Sequence, residues 1–147
     1  MIIIDADACP AKDAIIKLAR EYDVRVLLVA SFAHQMPEMD GVVVRYTDCS
    51  PQAVDMVIMN EATPGDIVIT QDYGLAAVVL AKKVKVVSPR GMLYTTENID
   101  GLLELRNAHA RIRRGGGKIK GPAAFVKEDL VRLLKVLRFH IKPTGKT

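Results

Sequence analysis

Apolar positions alternate between short continuous runs and helical stripes along nearly the whole chain. Ile2-Ile3-Ile4 places three β-branched residues in a row, which reads as a strand buried on both faces and ending near Asp7. Pro10 suits the first turn of a helix, and Ala11, Ala14, Ile15, Leu18 and Ala19 recur behind it at helical spacing. Val24 to Ala30 reads as a second strand, parallel to the first through a right-handed crossover. Ser31 to Gly41 is polar and irregular, broken by Pro37 and Gly41; His34 lies in it, either as a site residue or as a plain exposed side chain. Val42 to Tyr46 reads as a third strand. Ser50 is an N-cap with Pro51 at the first helical position, ahead of a stripe of Ala53, Val54, Val57, Ile58 and Ala62.

Pro64-Gly65-Asp66 turns into a fourth strand, Ile67 to Thr70. A third helix begins at Gln71 or Asp72 and runs through Leu75, Ala76, Val79 and Leu80, and Val84 to Val87 is a fifth strand. Ser88 to Thr96 reads as a loop, with Thr96 capping a helix to about Arg114. Gly115 to Pro122 is a basic, glycine-rich loop. An amphipathic helix from Phe125 to about Phe139 follows, and the tail from Lys142 to Thr147 is expected to fray. Alternating β and α predicts an α/β fold: a three-layer sandwich with a central, mainly parallel sheet of about five strands flanked by helices, and a C-terminal helical extension.

At 147 residues the chain has the length of one domain, 1–147, and with 50% apolar residues it is globular, not disordered. No apolar run reaches membrane-spanning length, and the first is too short for a signal core. Cys9 and Cys49 form no C-x-x-C pair, so they read as reduced thiols of a cytoplasmic protein. The net charge of +4 hides a division. Residues 106–147 carry twelve Lys and Arg against Glu128 and Asp129, while residues 1–105 carry nine against fifteen acids. An acidic body with a basic C-terminal part is suited to holding a polyanion; a solvated basic helix face is the plainer account.

The candidate chemistry lies where strands end on carboxylates. Period-two geometry would turn Asp5 and Asp7 the same way if the chain stays extended, and like charges that close call for a cation or a proton. Asp66-Ile67-Val68-Ile69-Thr70-Gln71-Asp72 repeats the design. Chemistry collects at the carboxyl ends of parallel strands, so these two ends are expected to face one another. Asp55, early in the second helix, points to the same end; helix-dipole stabilisation is the alternative. Asp66 opens its strand and belongs at the opposite edge. Asp5, Asp7, Asp55 and Asp72 are therefore the candidate catalytic set, all oxygen donors, which favours Mg²⁺ or Mn²⁺ over zinc. Such an ion suits hydrolysis of a phosphodiester. Arg111, Arg113, Arg114, Lys118 and Lys120, around a glycine run that is not a Walker loop, are candidate phosphate contacts, with Arg90 and Arg106 added to them.

Five ordered motifs, Ile-Asp-Ala-Asp-Ala-Cys-Pro, Pro-Gly-Asp-Ile-Val-Ile-Thr-Gln-Asp-Tyr-Gly-Leu-Ala, Ser-Pro-Arg-Gly, Glu-Asn-Ile-Asp and Gly-Gly-Lys-Ile-Lys-Gly-Pro, resemble the bacterial YaiI/YqxD family (UPF0178, DUF188) over nearly the whole chain. That resemblance implies a PIN-like fold, whose active members are Mg²⁺- or Mn²⁺-dependent nucleases. By the same resemblance Asp5, Asp72 and Asp55 would be the metal ligands, with Asp7 an additional acid. Three functions follow as expectations. The first is a metal-dependent nuclease with RNA as the favoured substrate. The second is a non-catalytic RNA-binding module with the same fold. The third is a small-molecule phosphatase of the Asp-x-Asp type, which the Ala8-Cys9-Pro10 continuation disfavours. No membrane partner is expected, and a homo-oligomer is left open.

Overall fold

A computed structural model describes residues 1–33, 35–119, 121 and 123–141. His34, Lys120 and the tail 142–147 lie outside the described residues. The elements run β1 (Ile2–Asp5), α1 (Lys12–Glu21), β2 (Val26–Ser31), β3 (Val42–Thr47), α2 (Pro51–Glu61), β4 (Ile67–Ile69), α3 (Tyr73–Leu80), β5 (Lys85–Val87), β6 (Leu93–Tyr94), α4 (Thr96–Arg114) and α5 (Lys127–His140). They form the expected α/β sandwich around one sheet in the order β3-β2-β1-β4-β5-β6. Every strand pair is parallel except β5 with β6.

β1 is central, with Ile4 opposite Leu28 of β2 on one side and Ile69 of β4 on the other. Its three isoleucines are fully buried because both faces are covered. Ile2 and Ile4 join the core beneath α1 and α5, and Ile3 joins the core beneath α2, α3 and α4. The chain steps outward from β1 to β2 and β3, then returns to the other side of β1 as β4. The order reverses between β1 and β4, and that reversal opens a crevice at their carboxyl ends.

Three details differ from the sequence expectation. The sheet has a sixth strand, Leu93–Tyr94, inside the segment expected to be a loop. Two residues are too few for a period-two signal, and the turn before it depends on Gly91 at φ +90°. The C-terminal helices are not an appendage: Leu133, Leu137 and Ile141 are buried in the first core, and Ile99 of α4 in the second. The cap of α4 is Thr95, one residue earlier than expected. Asn98 N–H donates to Thr95 Oγ1 at 3.1 Å and Thr95 N–H to Asn98 Oδ1 at 2.9 Å. That reciprocal pair selects Thr95, since Thr96 would have Ile99 at the matching position. Among the described residues no helix is long and apolar enough to cross a membrane.

Candidate functional site

β1 ends at Asp5, and the next three residues, Ala6–Ala8, form a 3₁₀ turn. The extended backbone needed to aim Asp5 and Asp7 in parallel is therefore absent, and that expectation is corrected. The turn nevertheless leaves both carboxylates on one cavity. Asp7 is exposed, and its Oδ2 accepts the backbone N–H of Ser31, at the end of β2, at 3.1 Å. Asp5 is half-buried, and its Oδ2 accepts the hydroxyl of Thr70 at 3.4 Å.

Thr70 links the two central strand ends. It is 1% exposed, and its Oγ1 also accepts the N–H of Asp72 at 3.0 Å, while its carbonyl accepts the hydroxyl of Tyr94 at 3.2 Å. Asp72 is the N-cap of α3, its Oδ1 accepting Leu75 N–H at 3.1 Å. A short polar side chain at that position satisfies one of the helix's unpaired amides. Asp55 comes from α2, whose start is fixed by Ser50, with Ala53 N–H donating to its Oγ at 3.2 Å.

These four carboxylates, from four segments, line one cavity of about 350 Å³ at the carboxyl edge of the sheet, together with Ser31 and Cys49. Among the described residues no Lys, Arg or His lines it. The electrostatic consequence falls on Asp5, whose carboxyl is pushed up to about 6 by burial first, then by the charges of Asp55, Asp7 and Asp72. Asp55 is also raised, by burial and by Asp72. Cys9, buried beside the turn, has its thiol pushed up to about 11, chiefly by burial, so it is an inert packing group. Asp66 is at the opposite edge, where it accepts Thr63 N–H at 3.0 Å and lies 3.1 Å from the Met1 ammonium.

The basic candidates divide. Arg106, on α4, lines a shallow groove that shares Asp5 and Asp72 with the cavity. Arg111, Arg113 and Arg114 are exposed in the last turns of α4, and Lys118 is exposed beyond it. At 1.5 Å per residue they lie about 8–12 Å farther along the helix axis than Arg106. Arg90 is not brought to the cavity. Its Nη1 donates to Asp129 Oδ2 at 3.0 Å, and the same guanidinium donates to the carbonyls of Ala123 and Ala124. It ties the β5–β6 turn to the start of α5. The sequence did not single out Tyr73 and Gly74, which border the groove; the Gln-Asp-Tyr-Gly run was a signal only for the helix start.

A hard divalent cation fits the donor chemistry of this cavity: four carboxylates and, among the described residues, no competing cation. The spacing is open. Among the described residues no group of three or more His, Cys, Asp and Glu is gathered closely enough to hold an ion directly. Mg²⁺ commonly keeps several of its waters and engages only one or two carboxylates, which suits an open carboxylate set.

Comparison with known proteins bears on this arrangement as follows. Rae1 (YacP) from Bacillus subtilis, solved as a mutant, is similar with a TM-score of 0.43 and 17% identity, covering 78% of this chain and 83% of that one. A likeness at that level says nothing about the site. Sequence relatives are nearer. A UPF0178 protein of Clostridium tetani is 45% identical over 99% of both chains. UPF0178 protein SH2212 of Staphylococcus haemolyticus is 43% identical over 96% of this chain and 97% of its own. The family described as "Uncharacterized BCR, YaiI/YqxD family" matches residues 3–143, which span all four carboxylates. With its strand ends, helix caps and basic C-terminal part inside that match, the chain belongs to the YaiI/YqxD family.

Proposed function

We propose that the protein is a divalent-metal-dependent nuclease that hydrolyses phosphodiester bonds, with RNA as the favoured substrate. The observation that carries this reading is the convergence of Asp5, Asp7, Asp55 and Asp72 on one cavity at the topological switch point, with no basic side chain lining it among the described residues. Asp5, Asp55 and Asp72 would hold Mg²⁺ or Mn²⁺. The ion, when bound, supplies positive charge to a phosphoryl oxygen and acidifies water.

The chain's own residues do the rest. Thr70 holds Asp5 and the backbone of Asp72 in fixed relation. Asp7 is held to the end of β2, on the open side of the cavity. From there Asp7 would position the attacking water. The water oxygen bonds to phosphorus and its proton passes to solvent, the bond from phosphorus to the leaving oxygen breaks, and the leaving oxygen takes a proton from solvent. Arg106, Arg111, Arg113, Arg114 and Lys118 would neutralise flanking phosphates. The compartment we infer is the cytoplasm, where the unpaired thiols of Cys9 and Cys49 persist.

A second reading, an RNA-binding module without turnover, is favoured by the open spacing of the carboxylates. Incubation of single-stranded RNA with the protein and Mn²⁺ separates the two. Cleavage by the wild type that is lost in Asp5→Asn and Asp72→Asn supports the nuclease. Binding without cleavage, unchanged in those variants, supports the module.

A further inference from the structure

The acidic cavity continues across Asp5 and Asp72 into a second, shallower groove of about 500 Å³, bordered also by Gln71, Tyr73 and Arg106. Arg106 is exposed and makes no hydrogen bond or ion pair among the described residues. Its guanidinium lies over Gly74. A Cβ added there would stand 3.1 Å from Arg106 Nη1 and 3.3 Å from Asp72 Oδ1. The missing side chain is what lets a guanidinium and the capping carboxylate approach across bare backbone. Gln71, itself exposed, borders the groove, its Nε2 donating to the Ala8 carbonyl at 2.7 Å. Tyr73 is half-buried and braced edge-on by Tyr94, ring centroids 5.9 Å apart.

We propose that this groove is a subsite for the nucleotide next to the bond that is cut. Arg106 takes that nucleotide's phosphate, and Tyr73 lies against its sugar or base. The proposal rests on the nuclease reading of the neighbouring cavity. Carboxylates alone would repel a phosphodiester, and a cation held by them offsets the charge at one phosphate only. A planar, unpaired guanidinium one step away supplies the next contact, in the fork geometry that suits phosphate. An aromatic ring beside it suits a sugar or base of any sequence.

The test uses a set of fluorescent single-stranded RNA oligonucleotides, each with one phosphate replaced by a neutral methylphosphonate. Binding is read by anisotropy with Ca²⁺ in place of Mn²⁺, strand integrity being checked on a gel. For the wild type, one position is expected to cost about tenfold in affinity when neutralised. Arg106→Ala loses about tenfold on the unmodified strand, loses nothing further at that position, and lowers the slope of log K against log salt by about 1. Arg106→Lys recovers part of the loss, because it keeps the charge without the fork. Gly74→Ala, which displaces Nη1 by a few tenths of an ångström, gives a smaller loss in the same direction. If Arg106→Ala keeps the wild-type profile at every position while RNA is still cut, the subsite is overturned and the nuclease reading stands. If the wild type neither binds nor cuts any strand, the nuclease reading fails and the subsite falls with it.

Discussion

Asp5 holds its proton more tightly than a carboxylate in water because it is buried among Asp55, Asp7 and Asp72. Its carboxyl is pushed from 3.8 to about 6, so between those values the folded chain binds more protons than the unfolded one. The stability this contributes is complete below 3.8 and is lost as pH rises through about 6, by at most about 3 kcal/mol. Urea denaturation in EDTA should therefore show falling stability across that interval. Asp5→Asn should flatten the dependence and stabilise the metal-free protein at pH 7 by about 1–3 kcal/mol. A less stable variant would contradict this. Arg90 makes the opposite kind of prediction. Arg90→Ala should cost about 1–2 kcal/mol of stability, since it breaks a partly exposed pair with Asp129, and leave RNA affinity unchanged. The residue scale is where sequence reading was most uneven. The strand-end acids were visible because a carboxylate after an apolar run has few structural uses. The ion pair of Arg90 was not legible because its partner, Asp129, lies 39 residues away on another element.

Helix starts position two of the four acids, Asp72 and Asp55. Asp72 serves α3 as its cap, so Asp72→Ala should cost about 1 kcal/mol in chemical denaturation, whereas Asp72→Asn, an equal cap, should cost almost nothing. That difference makes the Asn variant the cleaner probe of charge. Ser50 with Pro51 and the run Pro64-Gly65-Asp66 were legible because capping and turn chemistry are local. The sixth strand and the docking of α5 were not, because both depend on contacts distant in sequence. Gly91 is the residue on which they meet. A Cβ there would stand 2.6 Å from the backbone N of Leu133 and 2.8 Å from the carbonyl carbon of Arg132. Gly91→Ala should cost about 3 kcal/mol or more in thermal or urea unfolding, combining positive-φ strain with a clash against α5 backbone. A cost under 1 kcal/mol would mean that α5 does not seat on this turn.

At the scale of the whole molecule, topology does the gathering. Because β4 returns beside β1, residues 5 and 72 meet at the same edge, and α2 brings Asp55 in from above. The order of elements made that edge predictable from the sequence, through the rule that binding sites lie where strand order reverses. The spacing of the carboxylates was not predictable, since it depends on the 3₁₀ turn after Asp5. The charge division has a structural counterpart: α4 runs from the groove at Arg106 to a basic end at Arg114. The central claim is that these carboxylates hold a divalent cation. Its most direct test is Mn²⁺ titration by calorimetry of the wild type and of Asp5→Asn/Asp72→Asn, both shown to be folded by circular dichroism. A saturable isotherm for the wild type that vanishes in the double variant is the predicted result. No binding by the wild type, or binding that the double variant retains, would contradict it.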